Sequence, residues 1–307
     1  MTLVFETIAP LTTFRGEIAA LGAACFWAIS SAIYGRLGQQ ISPLSLNLLK
    51  GSIAIALIVV TLLIRGELLP EISVRNFYLL LLSGAIGIGL GDTAFFAALN
   101  CLGARRALLM ETLAPPLTAI IALLFLQESL SAGVWIGILL TILGVAWVVT
   151  ERVSDIENYH LRLKAGIIYG AIAAFALAIG GVLARAALFD TSISPLWAGL
   201  LRIVAAVLSL LLWILLTRAQ SSFAPQHLSF SFVAGLGFAA FLGTYLGIWL
   251  QQSAIKFTQV GIALTLTNTA PLFVLPIAAF SGEKLSFRAV CGAIIALAGI
   301  GTIFYLR

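Results

Sequence analysis

Long apolar runs separated by short polar intervals fill the chain from residue 17 to residue 306. Ten such stretches stand out, at 17–35, 43–64, 77–99, 104–126, 131–150, 164–188, 196–217, 231–254, 259–280 and 287–306. A bilayer core takes roughly 20 apolar residues at about 1.5 Å each, so every stretch can cross one. The pattern predicts an all-α integral membrane protein with ten transmembrane helices. Within the runs there is no alternation of period two, which excludes a transmembrane β-barrel. Only 151–163 and 218–230 read as real loops, and neither could hold a soluble catalytic domain. The first sixteen residues include Glu6, Pro10 and Arg15. They lack an apolar core or small-residue cleavage site after a basic start, so they do not read as a signal peptide.

Composition removes the soluble alternatives. Of 307 residues, 61% are hydrophobic and 9% charged, against roughly 25% charged in an ordinary soluble domain. Too few polar residues remain to cover a water-facing surface. Disorder is excluded too, because it needs low hydrophobicity and high net charge. Cys25, Cys101 and Cys291 lie in or beside apolar stretches, an odd count that reads as packing and not as a disulfide framework.

The net charge of +5 reports loop charge and topology, not affinity for nucleic acid. Ten spans put both ends of the stretch on one side of the membrane. Arg15, Arg65, Arg75, Arg185, Lys256 and Arg307 fall on that side. Arg36, Arg105, Arg106, Arg152, Arg162, Lys164, Arg218, Lys284 and Arg288 fall on the other. The count alone favours termini outside.

An internal repeat organises the ten spans. Ile41-Ser42-Pro43-Leu44 at the start of the second recurs as Ile193-Ser194-Pro195-Leu196 at the start of the seventh. Each is followed by a basic residue seven positions after the proline, Lys50 and Arg202. An offset of 156 superposes Gly87 and Gly91 on Gly243 and Gly247, Ala98 on Ala254, and Ala114-Pro115 on Ala270-Pro271. After a one-residue gap, Glu128, Leu130 and Ser131 match Glu283, Leu285 and Ser286, and Gly137 and Gly144 match Gly292 and Gly299. The chain therefore divides into a tail (1–15), a five-helix repeat (16–150), a connecting loop (151–163) and a second repeat (164–307). Five is odd, so the second copy crosses in the opposite sense. Inverted repeats are typical of secondary transporters, with substrate held near the midplane between the halves.

These residues carry a resemblance. The two-fold five-helix plan, the prolines with their basic residues, the Gly91-Asp92-Thr93-Ala94-Phe95-Phe96 run, and Arg105 to Pro116 followed by Glu128-x-Leu130-Ser131 resemble EamA-type members of the drug/metabolite transporter superfamily. The resemblance spans about 16–306. It implies export or exchange of amino acids, nucleobases, other metabolites or drugs, and does not name the cargo. It also implies cytoplasmic termini, against the charge count, and placement in the cytoplasmic membrane of a bacterium.

Charges at membrane depth are costly and mark functional sites by default. Four stand out: Lys50, Asp92, Glu111 and Arg202. Asp92 and Glu111 are equidistant from the tip of the hairpin between the third and fourth spans, near Cys101 and Leu102. Each is roughly 10 Å deep at 1.5 Å per residue. Lys50 enters from the same side to the same depth, so three ionisable groups share a layer. A structural bridge from Lys50 to either Asp92 or Glu111 would leave one carboxyl group over, and Glu111 is the candidate to carry a proton. It shares a stripe of small residues with Ala107, Ala114 and Thr118 that should face the bundle. Where family members have a similar run, this position is usually small or polar.

Arg202 enters from the opposite side into a repeat whose matching positions are Ile248 and Thr267, not acids. It would either bind a substrate anion or satisfy backbone carbonyls. Pro115 and Pro271 free the carbonyls of Glu111 and Thr267, which makes Glu111-Thr112 and Thr267-Asn268 opposed polar patches or simple kinks. Trp27 lies near the middle of the first span, and Tyr245 and Trp249 lie inside the eighth beside Gln251 and Gln252, where they either line a cavity or pack. Trp135, Trp147, Trp197 and Trp213 read as interfacial anchors. The glycine pairs permit close helix approach, and those of the fifth and tenth spans alternatively form a dimer seam. Glu128 and Glu283 are expected to cap the helices that follow them, near Ser131 and Ser286.

The expectation is a secondary transporter, not an enzyme, that exports or exchanges a small, partly apolar metabolite, amino acids among the candidates, by alternating access with possible proton coupling. Two alternatives stand beside it: efflux of organic cations on Asp92 and Glu111, and a non-transporting receptor or scaffold. Intramembrane catalysis finds no support, because His160 and His227 lie in loops and no span pairs a nucleophile with a base. Lipids and a small-molecule substrate are the expected partners of a monomer or homodimer, with no nucleic acid, metal or cofactor.

Overall fold

The computed structural model describes residues 13–37, 40–67, 71–102, 104–150, 162–217, 229–280 and 286–306. His160, His227, Glu283 and the basic residues Arg152, Arg218, Lys284 and Arg307 lie outside them. Ten helices follow in chain order. They are α1 (Arg15–Leu37), α2 (Pro43–Arg65), α3 (Val74–Gly84, Ala85–Leu90 and Gly91–Leu102), α4 (Ala104–Glu111 and Ala114–Leu126) and α5 (Ala132–Val149). After them come α6 (Leu163–Leu188), α7 (Pro195–Thr217), α8 (Phe230–Ala239, Ala240–Leu246 and Gly247–Phe257), α9 (Val260–Thr267 and Ala270–Phe280) and α10 (Phe287–Leu306). Among the described residues, nine helices are long and apolar enough to cross a membrane, and a shorter apolar one over Val260–Pro276 completes the ten. Large apolar side chains such as Ile64, Phe125 and Leu215 remain exposed on the outside, where lipid would cover them.

Helix starts are set locally. Ser42, Ser73, Ser131 and Ser229 each accept the backbone N–H three residues on, from Ser45, Asn76, Val134 and Phe232. Ser194 and Ser286 do the same for Trp197 and Ala289. A serine oxygen takes one of the donors a helix start leaves without an intrahelical partner.

Two interruptions recur in each repeat. Helices α4 and α9 break at Thr112-Leu113 and Asn268-Thr269, ahead of Pro115 and Pro271. Helices α3 and α8 each widen into a π-helical turn, over Ala85–Leu90 and Ala240–Leu246. The widened turns close with bonds from Gly91 N–H to the Ile86 carbonyl and from Gly247 N–H to the Leu242 carbonyl. The breaks and the closing bonds of the wide turns keep the offset of 156, so the duplication extends to irregularities that hydropathy does not show.

Helix contacts reveal how the repeats interlock. Helix α6 packs on α3 and α4, while α1 packs on α8 and α9, so each repeat lends its first helix to the other. Ser83 donates to the Gly180 carbonyl at 2.6 Å in the first bundle, and Trp27 Nε1 donates to the Gly243 carbonyl at 2.8 Å in the second. Equivalent helices meet antiparallel. A Cβ on Gly137 would strike Ile303 and Gly299, and one on Gly144 would strike Ala296 and Gly292. As the residue number rises along α5 it falls along α10. The two copies run in opposite directions, as an odd helix count requires.

Those contacts correct one expectation. The glycines of α5 and α10 face each other within one chain, so they are spent on an internal seam and do not form a seam between two chains. Glu128 is a second correction. Ser131 caps α5, while Glu128 bonds to Arg185 of α6 and to the N–H of Val260 at the start of α9. A third concerns charge. Glu17 is wholly buried and Arg185 is 5% exposed, two buried charged residues outside the four singled out by depth.

Candidate functional site

Lys50 lies two helical turns past Pro43 on α2, and Asp92 follows directly on the widened turn of α3. The Lys50 ammonium donates to Asp92 Oδ2 at 3.1 Å, with side-chain exposures of 16% and 34%. The pair is thus partly exposed and is not sealed in the core. The ring centres of Tyr34 and Phe96 flank the ammonium at 5.8 and 5.7 Å, within the range where a cation is drawn to an aromatic face.

Glu111 ends the first half of α4, at the break before Ala114-Pro115. It has no hydrogen bond or ion pair among the described residues, and it lies within electrostatic reach of Asp92. Arg202 is 1% exposed, and its Nε and Nη1 have no partner among the described residues. Its Nη2 lies 3.3 Å from where a Cβ on Gly87 would stand, and it too is within reach of Asp92. Asp92 is thus the shared neighbour of all three other charges. A fully buried guanidinium without hydrogen-bond partners is costly, and the absence of a side chain at Gly87 makes room for it.

Four further candidates take their own places. Trp27 binds the widened turn of α8 through the Gly243 carbonyl. Tyr245, 8% exposed, shares a hydrogen bond of 2.8 Å with Thr61 of α2 and packs beside Trp249. Thr267 Oγ1 and Asn268 Nδ2 both donate to the Leu264 carbonyl of their own half-helix, at 3.1 and 3.0 Å. Thr112 likewise turns back to Leu109. Among the described residues no hydrogen bond joins the patch on α4 to that on α9.

Residues that sequence reasoning passed over lie between α1 and the widened turn of α8. Tyr34 and Thr244 share a hydrogen bond of 2.9 Å, and Ser30 fills the space above Gly243. Trp27, Ser30 and Tyr34 recur at helical spacing, so one face of α1 follows the widened turn of α8; that spacing was the available signal. No pattern in the chain foretold that Phe96 would sit against Lys50.

This architecture matches known proteins over nearly its whole length. The EamA-like transporter family matches residues 14–150 and again 164–305. The chain belongs to that family. Among curated relatives, an uncharacterized transporter of Bacillus subtilis (strain 168), YyaM, is 26% identical over 231 residues, which cover 74% of this chain and 73% of that one. A solved crystal structure superposes with a TM-score of 0.77 over 96% of this chain and 99% of its own, at 17% identity. That likeness concerns the fold. The two family matches fall on the two halves that the internal repeat marks out.

Proposed function

We propose that this transporter moves a small, partly apolar metabolite by alternating access, with the crevice around Lys50, Asp92 and Glu111 as its site. The carrying observation is an ion pair at membrane depth, partly exposed and flanked by Tyr34 and Phe96, with the Glu111 carboxyl group, which has no partner among the described residues, within electrostatic reach of Asp92. Ionisable groups at that depth mark substrate or proton pathways, and the aromatic wall suits apolar cargo such as larger amino acids. Glu111 carries the coupling proton, and Arg202 receives an anionic group of the cargo when its surroundings open. The protein acts in a bacterial cytoplasmic membrane with its termini in the cytoplasm.

Proteoliposomes loaded with an amino-acid mixture test the reading. Uptake or efflux should respond to an imposed pH gradient, and Glu111→Gln should abolish that response while leaving exchange. An unchanged pH response in Glu111→Gln removes the residue from coupling.

One observation favours a second reading. The two rings and the Asp92 carboxylate that surround the Lys50 ammonium would serve an organic cation equally well. Competition between a lipophilic cation and an aromatic amino acid for the same transport separates the two. A receptor or scaffold would show no change of access: single cysteines at 111 and 267 would never react with impermeant reagents from both sides.

A further inference from the structure

On the side of the membrane where α1 begins and α10 ends, five side chains and a backbone hairpin form a polar assembly. Helix α8 ends at Phe257 and α9 starts at Val260, so the hairpin presents the carbonyls of one helix end and the N–H groups of the next start. Arg185 Nη1 donates to the carbonyls of Ile255 and Lys256 at 2.9 and 2.7 Å. Glu128 Oε2 accepts the Val260 N–H at 3.1 Å. Between them, Arg185 Nε donates to Glu128 Oε1. The cation sits at the C-terminal end of one helix and the anion at the N-terminal end of the next, the favourable placement for both dipoles. Beside the pair, Gln259 Nε2 donates to the Ser129 carbonyl at 3.0 Å, and Thr258 donates to Glu17 Oε1 at 2.7 Å.

The division of labour follows the interlocked bundles. Glu128 and Arg185 belong to the bundle of α3, α4 and α6, while the hairpin and Glu17 belong to that of α1, α8 and α9. The clasp therefore bridges the bundles at one edge. The Lys50–Asp92 pair is exposed from the other edge, since Lys50 is seven residues from the start of α2 and fifteen from its end. Below the clasp, α9 is sealed: Thr265 is 1% exposed and Thr267 2%.

We propose that Glu128 and Arg185 form the gate on the terminal side of the transporter: an ion pair that holds the α8–α9 hairpin by its backbone and must release it before the site opens there. The proposal rests on the alternating-access reading, but its test needs no cargo. Each polar atom of the clasp can exchange its partner for water at the membrane edge, so opening leaves no charge stranded in lipid.

The experiment uses the full chain with Cys25, Cys101 and Cys291 replaced by Ser and a single reporter, Thr265→Cys, in sealed vesicles of known orientation. An impermeant thiol reagent added on the terminal side should label the reporter slowly. Adding Glu128→Gln or Arg185→Gln should raise the labelling rate at least tenfold. A second variant, Ser129→Cys with Gln259→Cys, closes a disulfide across the gate. In it terminal-side labelling of Thr265→Cys should cease and return on reduction, while a Phe96→Cys reporter stays open from the opposite side. Equal labelling in parent, gate variants and cross-linked protein would make the pair a permanent staple and overturn the proposal. If the substitutions prevent folding, the cross-linked arm decides alone. Loss of Phe96→Cys labelling with intact gate behaviour would count instead against the crevice reading.

Discussion

Asp92 sits where three other charges meet, and its loss should be felt first at Lys50. Breaking a buried pair by removing one partner costs about 3–5 kcal/mol because the remaining charge is stranded. Here the carboxylate is a third exposed, so solvent screens part of the penalty. Asp92→Asn should therefore destabilise by about 1–2 kcal/mol, read as a lower unfolding temperature in detergent. Lys50→Met combined with Asp92→Leu should recover most of it. Equal destabilisation in the single and double variants would mean that the pair does not act as a unit. Trp27→Phe removes the donor to Gly243 and should cost about 1 kcal/mol, a loss read by the same melting measurement.

At the scale of elements, the widened turns and broken helices hold most of the information. A Cβ at Gly84 would collide with the backbone of Arg202, and backbone cannot swing aside as a side chain can. Gly84→Ala should destabilise by about 3 kcal/mol and shift α7 away from α3, which would show as new thiol access to a cysteine placed at Ser83. Gly237, by contrast, has open space where a Cβ would stand, so Gly237→Ala should be neutral or slightly stabilising, since alanine favours helix by about 1 kcal/mol. Of these local features, the prolines foretold where α4 and α9 break. The π-helical turns of α3 and α8 were not legible, because a run such as Ala85 to Leu90 reads as ordinary apolar helix. The turn of α3 packs against Gly180 and Arg202 and that of α8 against Ser30 and Trp27, partners that lie far away in sequence.

At the scale of the molecule, two bundles are joined through exchanged first helices, and in the alternating-access proposal these are the two bodies that rock on each other. Helices α5 and α10, sealed glycine to glycine, should stay together throughout. A disulfide between Gly137→Cys and Gly299→Cys should leave transport intact, whereas one between Ser129→Cys and Gln259→Cys should stop it. Equal effects of the two links on transport would contradict rocking about that seam.

The ten spans, the duplication and the inversion were legible because each is written in hydropathy, in repeated proline and glycine positions, or in the parity of a helix count. Lys50, Asp92 and Glu111 were legible as one layer because helix rise converts residue number into depth. Direction was not. Depth does not say which way a side chain points, so the rings around Lys50 and the lack of partners at Arg202 emerged only from packing. Glu128 shows the limit most clearly. Its local setting suggested a cap for its own helix, yet it binds the start of α9, 132 residues away. A carboxylate in a turn will take whichever unsatisfied N–H the fold brings to it. The chain alone thus determined what crosses the membrane and how often, while the tertiary structure decided which buried charges are paired, which are left open, and which hold the two bundles together.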